Sequence, residues 1–251
     1  MWREVRRKMW RKVRSEVRIE KLSQLRRGAD RSCPNSAAMR EAGLRLVQVY
    51  SELAQRNEHL LTGLVGTDPR QWTHYPEDDA IDTESGFQWF YHAHSPEDRH
   101  GSSEHGHIHV FARKPLWSRR MCSDAERSFA SLCGFSQQKP NSRHLLGIGF
   151  DAKGLPINIF TVNSWVTGDL MLSAPLTAQL LKRLRLNTGY SQIDTVIEAI
   201  AIICKEEISM LLDGRDQALD AISSPDKLNN TTYEILSEVP VDLDSKLRVI
   251  L

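Results

Sequence analysis

The stretch FQWFYHAHSPEDRHGSSEHGHIHVFAR, residues 87–113, carries six of the chain's nine histidines, and its periodicity decides the fold. Successive side chains of a strand point to opposite faces, so residues two apart share one. FQWFYHAH is rich in aromatics, and HGHIHVFAR alternates histidine with small or apolar residues, so both read as strands. In the first, Gln88, Phe90, His92 and His94 share a side. In the second, His105, His107, His109 and Phe111 do, with Gly106, Ile108 and Val110 on the other. The residues between, Ser95 to Glu104, make a connection long for a tight hairpin but compatible with antiparallel neighbours. With both histidine-bearing sides facing the same way, five imidazoles line one patch. Cross-strand Cβ separations of about 4.5–5.5 Å then let two or three rings converge on one ion.

Working outward, HLLGIGF and LPINIFTVN flank DAKG, which has Gly154 where a turn needs positive φ; the three pieces predict a hairpin. Residues 36–61 place Met39, Ala42, Leu46, Val49 or Tyr50, and Leu53 on one helical face, with Ser36 as N-cap. TDPRQWTHYPEDDAIDTESG, rich in Pro, Asp and Gly, reads as a loop. Leu116 to Cys133 reads as helical, as do PLTAQLLKRLRL and QIDTVIEAIAIICKEEISMLLDGRDQALDAI. In NTGYSQID, residues 187–194, Ser191 is placed to cap the helix that follows and Asp194 to sit in its first turn; a loop offering Tyr190 to the site is the functional alternative. These elements predict an α+β protein: an antiparallel sheet of about four or more strands, flanked by helices, with a helical C-terminal third. The expected organisation is a basic amphipathic arm over 1–35, one α+β domain over 36–222 and a tail over 223–251.

Composition bounds the function. With 251 residues, 40% hydrophobic and 26% charged, the chain has the balance of a globular protein with a substantial core. No apolar run reaches the roughly 18 residues of a membrane span. The first residues, MWREVRRKMWRKVR, lack the apolar stretch of a secretory signal. Cys33, Cys122, Cys133 and Cys204 form no CxxC pair. Free thiols in a reducing cytoplasm are the expectation. Residues 1–31 hold 12 Lys/Arg against 4 Asp/Glu, a net of +8, and the remaining 220 hold 21 against 28, a net of −7. Trp2, Val5, Met9, Val13 and Val17 recur at helical spacing among the arginines. Contact with nucleic acid or an anionic membrane is therefore expected only through the arm, which GADRSCPNS at 28–36 separates from the body.

Imidazole is the commonest nitrogen ligand for zinc, iron and nickel. A divalent transition metal is the expected cofactor, with ligands from His92, His94, His107 and His109. Glu104 and His105 are the next candidates, as catalytic general base or further ligand, and Asp82 and Glu84 could supply a carboxylate. A metal-dependent hydrolase or oxygenase of a small-molecule substrate fits this set. The alternatives are a non-catalytic protein that binds metal or a small ligand, and a metal-free transfer enzyme. His74 and His144 stand alone in sequence and read as structural; His100 sits in the expected loop. No GxSxG, P-loop or dinucleotide fingerprint is present, which removes support for serine-hydrolase, NTPase and Rossmann readings.

Several blocks carry resemblances. HGHIHVF resembles the alternating motif of histidine-triad nucleotide hydrolases and transferases, which would make His107 a nucleophile between His105 and His109; Gly106 departs from that pattern. HAHSPED resembles the first metal motif of cupins, with His92, His94 and Asp98, but the second cupin motif is missing. HYP at 74–76, DTESG at 82–86, YHAH at 91–94, EHGHIHVF at 104–111 and NTGYSQID at 187–194 together resemble an uncharacterised bacterial protein family, from about Ala38 to Ile222. That resemblance implies one body containing all five blocks, with the arm outside it, and no particular reaction. A chain beginning at Ser36 is accordingly expected to stay soluble and to melt within a few degrees of the full chain. Loss of solubility, or a drop of many degrees in a calorimetric scan, would place the arm in the core instead.

Overall fold

The structure, a computed structural model, describes residues 34–66, 70–94, 103–134 and 142–251. Residues 1–33 of the basic arm, Asp98 and His100 lie outside the described residues. From Ala38 onward the described residues form one compact unit.

The chain is α+β. In order along it come helix α1 (Pro34–Gln55), the short α2 (Thr62–Val65), strands β1 (Tyr75–Ile81), β2 (Phe87–Ala93) and β3 (Gly106–Arg113), then α3 (Lys114–Trp117) and α4 (Asp124–Cys133). After them come β4 (Ser142–Phe150), β5 (Pro156–Val162), α5 (Ser164–Thr167), β6 (Leu170–Met171), α6 (Ala174–Lys182), α7 (Ser191–Ile203), α8 (Lys205–Ala221), β7 (Ile235–Pro240) and α9 (Leu243–Ile250). The strands form one sheet in the order β1-β2-β3-β4-β5-β7, antiparallel throughout, with β6 pairing in parallel with β4.

The sheet buries one face against helices. Trp89, Tyr91, Ile108, Val110, Leu146, Ile148 and Ile159 pack with Ala42, Leu46, Val49 and Leu53 of α1 and with Val196, Ile197 and Ile200 of α7. The α1 stripe is the one its 3.6-residue periodicity predicts, although the helix starts at Pro34, ahead of the expected Ser36 cap. The DAKG turn closes β4 onto β5 as expected: Asp151 Oδ1 accepts from the amides of Lys153 and Leu155, both at 2.9 Å, and Gly154 has φ 73°. Helix α4 begins at Ser123, whose hydroxyl accepts from the Glu126 amide, and ends at a left-handed Gly134.

Two segments depart from the sequence reading. β1 runs through the stretch read as a loop. It is an edge strand with Pro76 inside it and a register shift near Asp79, whose φ is 54°. Proline, acidic side chains and a bulge are the features that protect an edge from further pairing, and they also hide its strand character. Residues 223–251, read as a tail, supply β7 and α9, and β7 adds to the sheet beside β5.

A buried carboxylate fastens α7 to the sheet. Asp194 Oδ1 accepts from Trp89 Nε1 at 2.9 Å and from the Thr188 hydroxyl at 2.8 Å, while Oδ2 accepts from the Thr188 amide at 2.8 Å. Ser191 is the first helical residue rather than the cap; the position before it is Tyr190, which makes no side-chain cap bond. Asp194→Ala would strand the buried Trp89 N–H and the Thr188 donors, at about 1–3 kcal/mol for each buried unsatisfied group. Urea unfolding is expected to lose roughly 3 kcal/mol or more; a loss under about 1 kcal/mol would show that the tie is dispensable.

Candidate metal centre

The histidines occupy the other face. In the β2–β3 ladder His92 lies opposite His107 and Phe90 opposite His109, while Trp89, Tyr91, Ile108 and Val110 turn to the helices. His94 follows the end of β2, its amide bonded to the His105 carbonyl at 3.0 Å. His92, His94, His107 and His109 thus share one side of the sheet, as the alternation predicts, and all four are buried.

Their nitrogens converge. His92 Nε2 lies 2.5 Å from His107 Nε2, and His94 Nε2 lies 3.2 Å from His107 Nδ1. Glu104 Oε1 is 2.7 Å from His107 Nδ1. Two donor groups result, His92/His107/His109 and His94/Glu104/His107, in each of which the three donor atoms lie within 4.8 Å of one another. Those residue types at that closeness are able to hold a divalent transition metal ion.

The remaining candidates are placed less simply. Glu104, 7% exposed, is inside the cluster and held there by Asn158 Nδ2, which donates to Oε2 at 3.0 Å. His105 is not on the histidine face. It is half-buried, and its Nδ1 lies 2.8 Å from Tyr91 Oη. The Tyr91 hydroxyl reaches it because Gly106 has no side chain: a Cβ there would overlap the hydroxyl. The five-imidazole patch expected from alternation therefore loses His105 and gains His144 of β4, whose Nε2 lies 3.0 Å from His109 Nδ1. Burial, reinforced by the Arg215 guanidinium, pushes the His144 imidazole down to about 3, so it is neutral. Such a partner fixes the tautomer and tilt of His109 as outer hydrogen bonds do around ligand histidines. Asp82 and Glu84 are elsewhere. Asp82 closes the β1–β2 turn by accepting from the Glu84 and Ser85 amides, and its Oδ2 accepts from the Asn187 amide at 3.0 Å; Glu84 is exposed. Tyr190 packs edge-on to Trp89 at 5.4 Å, on the helix side of the sheet, which removes it from the site.

Aromatic rings frame the cluster. Phe160 of β5 meets His107 edge-on at 4.8 Å, and Phe90 lies 5.2 Å from His109. His74, read as isolated, stacks on Phe90 at 3.7 Å and is tied to Asp79 at 2.9 Å. Trp72, 58% exposed, stands edge-on to His92 at 5.7 Å and His94 at 4.7 Å, and marks the end of the cluster nearest solvent. Two glycines make the room. Gly149 is paired with His107 and Gly147 with His109. A Cβ on Gly147 would overlap the Phe160 ring, and one on Gly149 would overlap the Asn158 amide and the Glu104 carboxylate. The alternation in HLLGIGF was the available signal for these positions; nothing local in sequence pointed to Asn158, Phe160 or Trp72. Two cavities of the described residues are lined elsewhere, one by Leu60, Leu64, Tyr190 and Ile193 among others, and neither lining includes a residue of the cluster.

Fold and site together define a class: an α+β domain with a buried histidine-and-carboxylate cluster on the sheet face opposite α1 and α7. The chain belongs to the family described as Domain of unknown function (DUF6969), which matches residues 40–241 and so takes in every residue of the cluster. No curated protein and no solved structure matches the chain.

Gly149→Ala tests the construction of the site. The added methyl must displace Asn158 and with it Glu104, and overpacking of this kind costs about 1–3 kcal/mol. The variant is expected to lose that much stability in chemical unfolding. Gly63→Ala, at a position with open space around it, is expected to lose no comparable amount.

Proposed function

We propose that this protein is a metalloprotein that holds a divalent transition metal ion, zinc, ferrous iron or nickel, through His92, His107 and His109. The observation that carries the reading is the convergence of three buried donor nitrogens within 4.8 Å on two adjacent strands. Strands fix the rings before metal arrives, since Ile108 and Val110 anchor the opposite side of β3 in the core. His144 supplies the outer hydrogen bond that ligand histidines characteristically have. Three protein donors are the count of a catalytic site rather than of a closed structural one, which favours a metal-dependent enzyme acting on a small molecule. Glu104, 2.7 Å from His107, is placed to take a proton. His105, whose Nδ1 is bonded to Tyr91 Oη, stands apart from these donors.

The metal-free transfer reading is less well supported. A phosphate attacked by His107 would have to reach Nε2, which already faces His92 Nε2 at 2.5 Å, while Nδ1 is engaged by Glu104.

The test is calorimetric titration of zinc, ferrous iron and nickel into metal-stripped full-length protein. Micromolar or tighter binding of at least one is expected. His107→Ala, which removes the residue common to both donor groups, is expected to weaken it roughly 100-fold or more. His59→Ala, at an exposed site in the turn after α1, is expected to leave it unchanged. A wild type that binds none of the three at micromolar concentration would overturn the reading.

A further inference from the structure

The two donor groups share His107 but use it differently. Nε2 faces His92 at 2.5 Å, whereas Nδ1 faces Glu104 at 2.7 Å and His94 at 3.2 Å. The two nitrogens of an imidazole carry in-plane lone pairs that diverge, so a single ion takes one or the other and never both. We infer that the cluster is a two-metal centre in which the His107 ring bridges one ion held with His92 and His109 and a second ion held with His94 and Glu104. This rests on the metal-binding reading above and extends it by a second, chemically different position.

An outer-sphere role for Glu104, orienting His107 for a single ion, would explain a carboxylate at Nδ1. It does not explain why a second imidazole, His94, comes to the same nitrogen. Nδ1 offers one proton or one lone pair, yet an oxygen and a nitrogen both converge on it, which is the arrangement a cation satisfies. Each of these outer donors also has its own support: Asn158 holds Glu104, and Trp72 stands against His94. At ordinary metal–nitrogen bonds of about 2.0–2.1 Å, two ions across one imidazole lie roughly 6 Å apart. That spacing exceeds the 3.5–4 Å of centres that clamp one substrate oxygen between two metals, so each ion here has its own chemistry. The position with three nitrogens suits zinc, nickel or copper. The one with two imidazoles and a carboxylate suits ferrous iron and other metals that favour oxygen. Filling both positions releases the His107 N–H proton to solvent, one per centre.

The experiment is metal stoichiometry of the full chain, stripped and reloaded with zinc, desalted and measured by elemental analysis. The wild type is expected to retain two equivalents. His92→Ala and Glu104→Gln, one on each side of the bridge, are expected to retain one each, with circular dichroism confirming their fold. Electron paramagnetic resonance of the wild type loaded with cupric ion supplies a readout independent of any variant. Its signal is expected to grow to one equivalent and then fall towards two as the bridged ions couple. One zinc equivalent in the wild type, or a copper signal that doubles at two, overturns the bridge and leaves the single-metal reading standing. Variants that fold and keep both equivalents overturn it too, by locating the second ion elsewhere. No bound zinc at all overturns both.

Discussion

The register between β2 and β3 is the constraint on which the rest depends. His92 stands opposite His107 and Trp89 opposite Val110, and the pleat sends these pairs to opposite faces. A slip of one residue would carry every side chain of a strand to the other side. Imidazoles would enter the layer that holds Leu46, Val196 and Ile200, and Trp89 and Tyr91 would leave it. Burying a polar ring among apolar groups without a partner costs several kcal/mol, so the hydrophobic face and the histidine face select the same register. Two side chains reinforce it from outside the ladder. Trp89 is fixed to Asp194 of α7, and Tyr91 lays its hydroxyl over Gly106. The blocks DTESG, YHAH, EHGHIHVF and NTGYSQID, far apart in the chain, therefore meet in the fold, with Asp82 bonded to the Asn187 amide completing the circuit.

A sheet face of buried imidazoles is expensive unless each polar atom finds a partner, and here the partners are mostly one another. The line runs from His144 to His109, and separately from His92 through His107 to His94 and Glu104. Phenylalanines 90, 111 and 160 fill the spaces between them. That surrounding lowers the local dielectric and strengthens any interaction with a cation, while it penalises a bare charge. A cation that satisfied several donors together would offset the cost of that packing.

How much of this was legible in the sequence follows from the range of each interaction. The strands around His92 and His107, the face they share, the DAKG hairpin and the α1 stripe were legible because a period of 2 or 3.6 is written within ten residues. His105 departs from the expected patch although its backbone is paired on both sides, with His94 and with Phe150. It sits just before β3, where the gap left by Gly106 lets Tyr91 compete for it. β1 was hidden by its proline and its acids, and β7 by a mixed composition that ends in proline, since both matter as neighbours in a sheet and neither has an alternation of its own. His144, Asn158 and Trp72 reach the cluster from 35 or more residues away, or from an irregular segment, by contacts that no local pattern encodes.

Asn158 shows how such a distant residue sets the chemistry. Its Nδ2 donates to Glu104 Oε2 at 3.0 Å and to Glu238 Oε1 of β7 at 2.8 Å. Two carboxylate acceptors on one nitrogen fix which end of the amide faces them, because an amide oxygen there would repel both. The oxygen end then turns toward Gly149, where any side chain would collide with it. With Oε2 so engaged, the other oxygen of Glu104 is directed at His107, and the carboxylate loses the freedom to swing away. The order of dependence runs from a glycine in β4 to an amide in β5 to a carboxylate ahead of β3. For that reason Glu104, the one acid within the cluster among the described residues, belongs to the architecture of the sheet as much as to its histidines.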